Sequence, residues 1–120
     1  DPEDQGNMLA WSNFLVQEER DQENVDFLDQ IDRSGDVDPQ IYWNMAKSYD
    51  RLENIKKARE NYLLAFNRFQ DSPDFLHDII DFFQSTGARA ELKAALVRYL
   101  KLVPTDEMQA RLDELNAETD

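Results

Sequence analysis

Apolar residues recur every three or four positions along nearly the whole chain, which is the spacing that buries one face of an α-helix. Glycine and proline, which interrupt helices, are scarce, with 3 and 4 copies. We find no segment with the alternation typical of strands, so the pattern predicts an all-α protein. The predicted helices cover about residues 6–19, 22–33, 39–52, 55–69, 73–86, 88–103 and 105–117.

Turn residues gather between these segments and predict the helix boundaries. Asp38-Pro39 and Ser72-Pro73 each place a capping residue before a proline. This pairing suits the first turn of a helix, because the N–H that proline lacks would have no helical acceptor there. We therefore expect helices to begin at both prolines. The predicted helix ends lie at Gly35, Gly87 and Pro104.

The two prolines are 34 residues apart, and the apolar pattern repeats with the same period. The middle copy reads Tyr42-x2-Met45-Ala46-x2-Tyr49, then Ala58-x3-Tyr62-x2-Ala65. The copy after it reads Leu76-x2-Ile79-Ile80-x2-Phe83, then Leu92-x3-Leu96-x2-Tyr99. The copy before it reads Met8-x2-Trp11-Ser12-x2-Leu15, then Asn24-x3-Leu28-x2-Ile31. The first copy is the weakest, because Asn24 puts a polar side chain at a packing position.

The middle copy resembles the tetratricopeptide repeat (TPR), in which a bulky, an apolar, a small and an aromatic residue of one helix face small and aromatic residues of the next. The resemblance implies a right-handed α-solenoid of three helix-turn-helix repeats in a single domain. The predicted boundaries are 1–120 for the domain, about 5–38, 39–72 and 73–104 for the repeats, and 105–117 for a C-terminal capping helix. The alternative is an irregular helical bundle whose apolar spacings repeat by chance.

The last predicted helix has the composition of a cap. Repeats of this kind share a continuous core, so the end of the stack must be sealed by a helix with a polar outer side. Met108, Leu112 and Leu115 fall on one face, and acidic residues occupy the rest. We therefore expect residues 105–117 to close the stack.

In TPR proteins the first helix of each repeat lines a concave face, and the resemblance implies the same here. The register gives ten partner-binding candidates: Asn13, Trp43, Asn44, Lys47, Asp50, Arg51, Asp74, His77, Asp78 and Asp81. It also turns Leu9, Ala10, Val16, Gln17 and Gln84 towards this groove.

The two tryptophans are expected in different surroundings. If Tyr42 fills the core, the next residue, Trp43, points about 100° away into the groove, where an aromatic ring is a good binding anchor. The alternative is that Trp43 packs against a neighbouring helix and Tyr42 is partly exposed. Trp11 is expected in the core.

The formal net charge of -13 argues against nucleic acid and anionic membrane surfaces as partners. Residues 1–38 carry 12 acids and 2 bases, a net charge of -10. No apolar run approaches the roughly 18 residues that a membrane helix needs, so no membrane insertion is expected. The chain begins with Asp1 and not Met, which is typical of a fragment of a longer protein.

Some TPR proteins bind the acidic C-terminal tails of chaperones through a clamp of basic residues and two asparagines. The asparagines are present as Asn13 and Asn44. The basic positions of that clamp are occupied here by Leu9, Asp74 and Asp78. Since carboxylates repel each other at close range, an acidic chaperone tail is excluded, and we expect a basic or amphipathic segment, with Lys47 and Arg51 able to meet a lone acid.

Catalysis and metal binding have little support in the sequence. Cysteine is absent and there is one histidine, so a nucleophile with its base cannot be assembled convincingly. Asp74, His77, Asp78 and Asp81 share one helix face, but a solvated charged face explains them without a metal. Asp29, Asp32, Asp36 and Asp38 surround Gly35 as in a calcium loop but lack its alternating acids and distal glutamate, so caps and a turn explain them. We expect no enzyme activity, cofactor or metal.

The sequence therefore predicts a protein–protein interaction scaffold or adaptor, monomeric as a fragment, that binds a protein or peptide segment in its groove. Two alternatives stay open. One is a structural or self-assembly module of a larger multi-domain protein. The other is a metal-dependent regulatory domain that uses the Asp74 to Asp81 face.

Overall fold

The structure, a computed structural model, describes residues 2–31 and 37–118, with side chains from residue 6 onward. In these parts of the chain every regular element is an α-helix, which confirms the all-α prediction. The helices are α1 Pro2–Gln17, α2 Asp21–Leu28, α3 Pro39–Arg51, α4 Ile55–Phe69, α5 Pro73–Thr86, α6 Arg89–Leu102 and α7 Asp106–Glu118. No helix in the described ranges combines the length and the apolar character needed to span a membrane.

The predicted cap-and-proline starts are confirmed at α3 and α5. The Asp38 carboxylate accepts a hydrogen bond from the backbone N–H of Gln40 at 2.9 Å. The Ser72 hydroxyl accepts one from the N–H of Phe75 at 3.3 Å. Each cap satisfies a donor that the first helical turn leaves without a backbone partner.

The ends of the first two helices differ from the prediction. Helix α1 begins at Pro2 instead of residue 6, and α2 ends at Leu28 instead of residue 33. After Leu28 the N–H groups of Gln30 and Ile31 bond three residues back, to Phe27 and Leu28, at 3.3 and 3.1 Å. This tightening ends the α-helix. The helix end predicted at Gly35 lies outside the described residues.

The 34-residue period is visible in the backbone of three turns. Glu19, Glu53 and Gly87, spaced by 34 residues, all adopt left-handed conformations, with φ of 56°, 61° and 73°. In each turn the next N–H bonds five residues back: Arg20 to Leu15, Asn54 to Tyr49, and Ala88 to Phe83. These bonds close the first helix of each pair in the same way. Only the third turn uses glycine, the residue that adopts this conformation without strain.

The helices contact one another within two compact units, Asp1–Asn67 and Arg68–Asp120. In the first unit, α1 contacts α2 and α3, and α2 contacts α3. In the second, α6 packs against both α5 and α7. That the three repeats and the cap form a single domain stays a prediction.

Most repeat positions are buried as the TPR register predicts. In the first unit the buried apolar residues are Leu15, Val16, Val25, Leu28, Ile41, Met45, Ala46, Tyr49, Ala58, Tyr62 and Ala65. In the second they are Phe75, Leu76, Ile79, Ile80, Phe82, Phe83, Leu92, Ala95, Leu96, Met108 and Leu115. Tyr42, expected in the core, is only half-buried.

The prediction that Trp11 lies in the core is wrong. Its side chain is 43% exposed and stacks on Phe14, with ring centroids 5.3 Å apart. The neighbouring Ser12 is fully buried, and its hydroxyl is satisfied there by donating to Asn24. Since successive helical residues point about 100° apart, burial of Ser12 turns Trp11 away from the interior.

Candidate partner-binding surfaces

A cleft of about 560 Å³ lies between α1 and α3 in the first unit. Its lining residues are Asn13, Val16, Gln17, Glu19, Gln40, Trp43, Asn44, Lys47 and Arg51. Trp43, half-buried, gives the cleft a large aromatic wall, and amide and charged groups surround it. The cleft therefore combines an apolar contact with groups that can hydrogen-bond a peptide backbone.

Asn44 is buried in this cleft, with its side-chain amide already bonded to the protein. Its Oδ1 accepts from Gln40 Nε2 at 3.0 Å. Its Nδ2 donates to Ser12 Oγ at 3.0 Å and to Asn13 Oδ1 at 2.8 Å. Asn44 therefore orients Asn13, which is exposed and can donate to a ligand through its own amide nitrogen.

A buried chain of hydrogen bonds continues behind the cleft. Ser12 Oγ donates to Asn24 Oδ1 at 2.7 Å. Asn24 Nδ2 donates to Ser48 Oγ at 2.9 Å, and Ser48 Oγ donates to Asp21 Oδ1 at 2.8 Å. All four side chains are buried, so the bonds replace the water that these groups lose on folding. The chain of bonds joins α1, α2 and α3.

The sequence interpretation missed this network. Its one signal was Asn24, a polar residue at a position where the second repeat carries alanine and the third leucine. Ser12 and Ser48 gave no signal, because serine is common on exposed helix faces.

Arg51, predicted to contact a partner, is bound within its own unit. Its Nε lies 3.3 Å from Asp21 Oδ1, and a terminal nitrogen donates to the carbonyl of Val16 at 3.2 Å. The other terminal nitrogen lies 3.7 Å from Glu19. The guanidinium thus offsets the buried Asp21 carboxylate and borders the cleft. Lys47 lines the same cleft.

The acidic candidates lie on α5, in the second unit. Asp74 is exposed and Asp78 is half-buried. Asp81 Oδ1 lies 3.3 Å from Arg111 on α7, and its Oδ2 lies 3.5 Å from His77 Nδ1. The α5 face is therefore acidic, with one of its carboxylates already paired to a base.

The remaining candidates occupy other positions. Asp50 is half-buried on α3 and is not among the residues that line the cleft. Gln40 and Glu19 line the cleft but were not predicted. The repeat register could have predicted Gln40, because it lies one helical turn before Asn44 on the same face.

The acids considered as calcium ligands have structural partners where the structure describes them. Asp38 caps α3, and both carboxylate oxygens of Asp29 lie within 3.4 Å of the Tyr49 hydroxyl. Asp32 and Asp36 lie outside the described residues. Across residues 6–31 and 37–118, no group of three or more acidic or histidine side chains is arranged to hold a metal ion.

The sequence model of the family described as "YpiA-like, C-terminal tetratricopeptide repeats" matches residues 39–106 of the chain. The chain belongs to this family. The TPR resemblance is thereby confirmed, and the chain is a protein-interaction module.

Two known proteins are similar to this TPR chain. The TPR repeat-containing protein YpiA of Bacillus subtilis (strain 168) is 24% identical over 83 residues, which are 69% of this chain and 20% of the relative. The chain therefore spans about a fifth of that relative's length. The crystal structure of PcrH in complex with the chaperone binding region of PopB superposes with a TM-score of 0.72 at 10% identity, covering 98% of this chain and 95% of PcrH. This likeness confirms the TPR-type fold.

Proposed function

We propose that this TPR chain binds a segment of a partner protein without catalysing a reaction, and that the cleft between α1 and α3 receives the segment. The observation that carries the proposal is the placement of Trp43 in the wall of that cleft, beside Asn13 and Lys47. Aromatic side chains in partly closed pockets supply much of the binding energy at protein interfaces.

The size and polarity of the cleft support this role. Its volume of about 560 Å³ falls within the roughly 300–1,000 Å³ of pockets that hold compact ligands. A bulky apolar side chain packed on Trp43 would lose contact with water, while the amide nitrogen of the exposed Asn13 would donate to a peptide carbonyl. PcrH, whose fold is similar, is seen in complex with a segment of another protein, PopB, and this supports a segment as the ligand here.

The charge of the second unit favours a basic or amphipathic segment. Asp74 and Asp78 stand on α5, where a clamp for acidic tails would need basic residues. Their attraction for lysine or arginine would speed encounter and weaken with salt, because exposed charges are screened beyond about 8 Å at physiological ionic strength. The net charge of -13 acts in the same direction.

Affinity capture with three forms of the chain tests the proposal. The native chain, Trp43→Ala and Leu64→Ala are immobilised, and the proteins that each retains are quantified by mass spectrometry. Leu64 is a matched control, because it is a large apolar residue of the same unit, is 55% exposed, and does not line the cleft.

We expect at least one protein that the native chain and Leu64→Ala retain equally and that Trp43→Ala retains poorly. A partner that Trp43→Ala retains fully would contradict the cleft as its binding site. For a partner that passes this test, retention should fall at high salt, and replacing Asp74 and Asp78 by Asn should make that fall smaller. Retention that changes neither at high salt nor with the Asp74 and Asp78 substitutions would contradict the proposal that the ligand is a basic segment.

A further inference from the structure

The hydrogen-bonded interior of the first unit determines which groups the cleft offers to a ligand. A carboxylate oxygen only accepts hydrogen bonds, so the single proton of Ser48 Oγ is donated to Asp21 Oδ1, 2.8 Å away. The Asn24 atom 2.9 Å from that hydroxyl must then be a donor, which is Nδ2. The same Nδ2 lies 3.4 Å from the backbone carbonyl oxygen of Asn44, which also only accepts. Two groups that cannot donate therefore fix the orientation of the Asn24 amide.

The Asn24 amide in turn fixes the side chains that lead to the cleft. Its Oδ1 faces Ser12, whose hydroxyl donates to it at 2.7 Å. Because that hydroxyl has no second proton, the Asn44 atom 3.0 Å from it must donate and is Nδ2. The same Asn44 nitrogen donates to Asn13 Oδ1 at 2.8 Å. The Asn44 Oδ1 accepts from Gln40 Nε2 at 3.0 Å.

The amide of Asn44 is therefore used by the protein itself. Asn44 is 3% exposed, and both the nitrogen and the oxygen of its amide have protein partners. Asn13 and Gln40, which line the cleft, each have one end of the amide bonded to Asn44. Asn13 keeps Nδ2 as a donor for a ligand, and Gln40 keeps Oε1 as an acceptor.

We propose that Asn24 and Asn44 are positioning residues, which do not touch the ligand. Their hydrogen bonds set Asn13 as a donor of the cleft and Gln40 as an acceptor. The group recognised beside Trp43 is a peptide group of the bound segment, whose C=O accepts from Asn13 and whose N–H donates to Gln40. A lysine side chain only donates and a carboxylate only accepts, so each matches one of these two contacts. This inference rests on the proposed function, because it concerns the same cleft.

Hydrogen-bond scalar couplings, measured by NMR on the full 120-residue chain without a ligand, test the positioning step. Such a coupling joins the donor nitrogen to the carbonyl carbon of the acceptor, so it reports the direction of the bond. We expect a coupling from Asn44 Nδ2 to the Cγ of Asn13. Asn24→Leu should abolish it, because the Ser12 proton is then free to turn to Asn44. Val25→Ala is the control, since Val25 is buried on the same helix and makes no bond in this network, and it should leave the coupling in place.

Acetyl-leucine N-methylamide, a probe with one bulky apolar side chain and two peptide groups, tests the contact with the ligand. Its binding is followed by chemical-shift titration. Asn13→Asp keeps an oxygen for Asn44 and replaces the outward donor by an acceptor, so it should weaken binding by about tenfold. Asn54→Asp adds the same charge at an exposed position that does not line the cleft. Its side-chain oxygen still caps the N–H of Lys57, so it should leave binding unchanged.

Four results would overturn the proposal. A coupling from Asn13 Nδ2 to the Cγ of Asn44 would reverse the assigned polarity, and an unchanged coupling in Asn24→Leu would remove Asn24 as a positioning residue. Loss of the native coupling on saturation with the probe would mean that Asn44 itself contacts the ligand. Equal probe binding by the native chain and Asn13→Asp, or none by either, would remove the peptide contact. The proposed function fails by a different result, a partner that Trp43→Ala retains fully, and the couplings of the free chain do not depend on it.

Discussion

The interiors of the two units are built from different chemistry on the same repeat pattern. Between α1, α2 and α3 of the first unit, hydrogen bonds link Ser12, Asn24 and Ser48 in sequence. In the second unit the buried residues of α5 and α6 are apolar, and Phe82 occupies the register that Ser48 occupies in the first unit. The TPR register thus specifies which positions are buried, and leaves open how they are joined.

The hydrogen-bonded interior of the first unit orients side chains that line the cleft. Apolar packing is non-directional, whereas each hydrogen bond orients both of its partners. The bonded chain ends at Asn44, which holds Asn13 in the cleft, and at Asp21, which holds Arg51 beside it. The polar interior therefore lies in the unit where side chains need a fixed orientation to meet a ligand.

The largest expected effect is on the free energy of unfolding, when the same repeat position is changed in two different repeats. Phe82→Ala removes a buried ring from the second unit and should lower the free energy of unfolding by about 3–5 kcal/mol. Phe14→Ala, at the equivalent position two periods earlier, removes a ring that is 43% exposed and should cost less than about 1 kcal/mol. Urea denaturation followed by circular dichroism measures both. Equal losses would contradict the assigned register.

The polar interior should be sensitive to the loss of one member. Asn24→Leu leaves the hydroxyls of Ser12 and Ser48 buried without this partner, at a cost of about 1–3 kcal/mol in the free energy of unfolding. Adding Ser12→Ala and Ser48→Ala removes these two hydroxyls and should recover part of the lost free energy of unfolding. If the triple variant is less stable than Asn24→Leu by the sum of the single costs, the network is not coupled.

A smaller effect on stability distinguishes the left-handed turn at Gly87 from the one at Glu53. Gly87→Ala should destabilise the chain by about 1 kcal/mol, for conformational reasons alone, because an added Cβ there meets no atom within 4 Å. Glu53→Gly, at the equivalent turn, relieves the same strain and should be neutral or stabilising. Thermal unfolding of both variants measures the difference. Destabilisation by Glu53→Gly of the same size would contradict the shared turn geometry.

The smallest effect concerns the ion pair between Arg20 and Glu23, beside the rings of Trp11 and Phe14. Hydrogen bonds from Arg20, at 2.8 and 2.5 Å, lower the pKa of Glu23. The stabilisation from this pair is therefore present above the pKa of unfolded Glu23 and is lost as the pH falls through the folded pKa. Arg20→Ala should raise the Glu23 pKa towards its ordinary value, as followed by NMR titration of the carboxyl group. An unchanged pKa would mean that the pair does not form in solution.

Much of the fold followed from local signals in the sequence. Asp38 and Ser72 fixed two helix starts, because a cap followed by proline is compatible with little else. The prediction for Trp11 was wrong, because Trp11 and Ser12 both lie at the border of the apolar helix face and the sequence favours burial of the aromatic residue. Which of the two turns inward depended on Asn24, a residue 12 positions beyond Ser12.

The candidate site was predictable only in part, for a related reason. Residues of α3 that share a face, such as Trp43 and Lys47, were found by helical spacing. The internal bonding of Arg51 was not, because it depends on the turn after α1, which brings the Val16 carbonyl and Asp21 within reach. Helical spacing finds neighbours within one element, whereas contacts between elements require the fold.

The most direct test of the central claim is the indole ¹⁵N spectrum of the chain with the partner recovered by affinity capture. Trp43→Phe and Trp11→Phe assign the two tryptophan peaks. We expect the Trp43 peak to shift or broaden as the partner is added, because its ring lines the cleft that receives the segment. A partner that binds fully while the Trp43 peak stays at its free position would contradict the account.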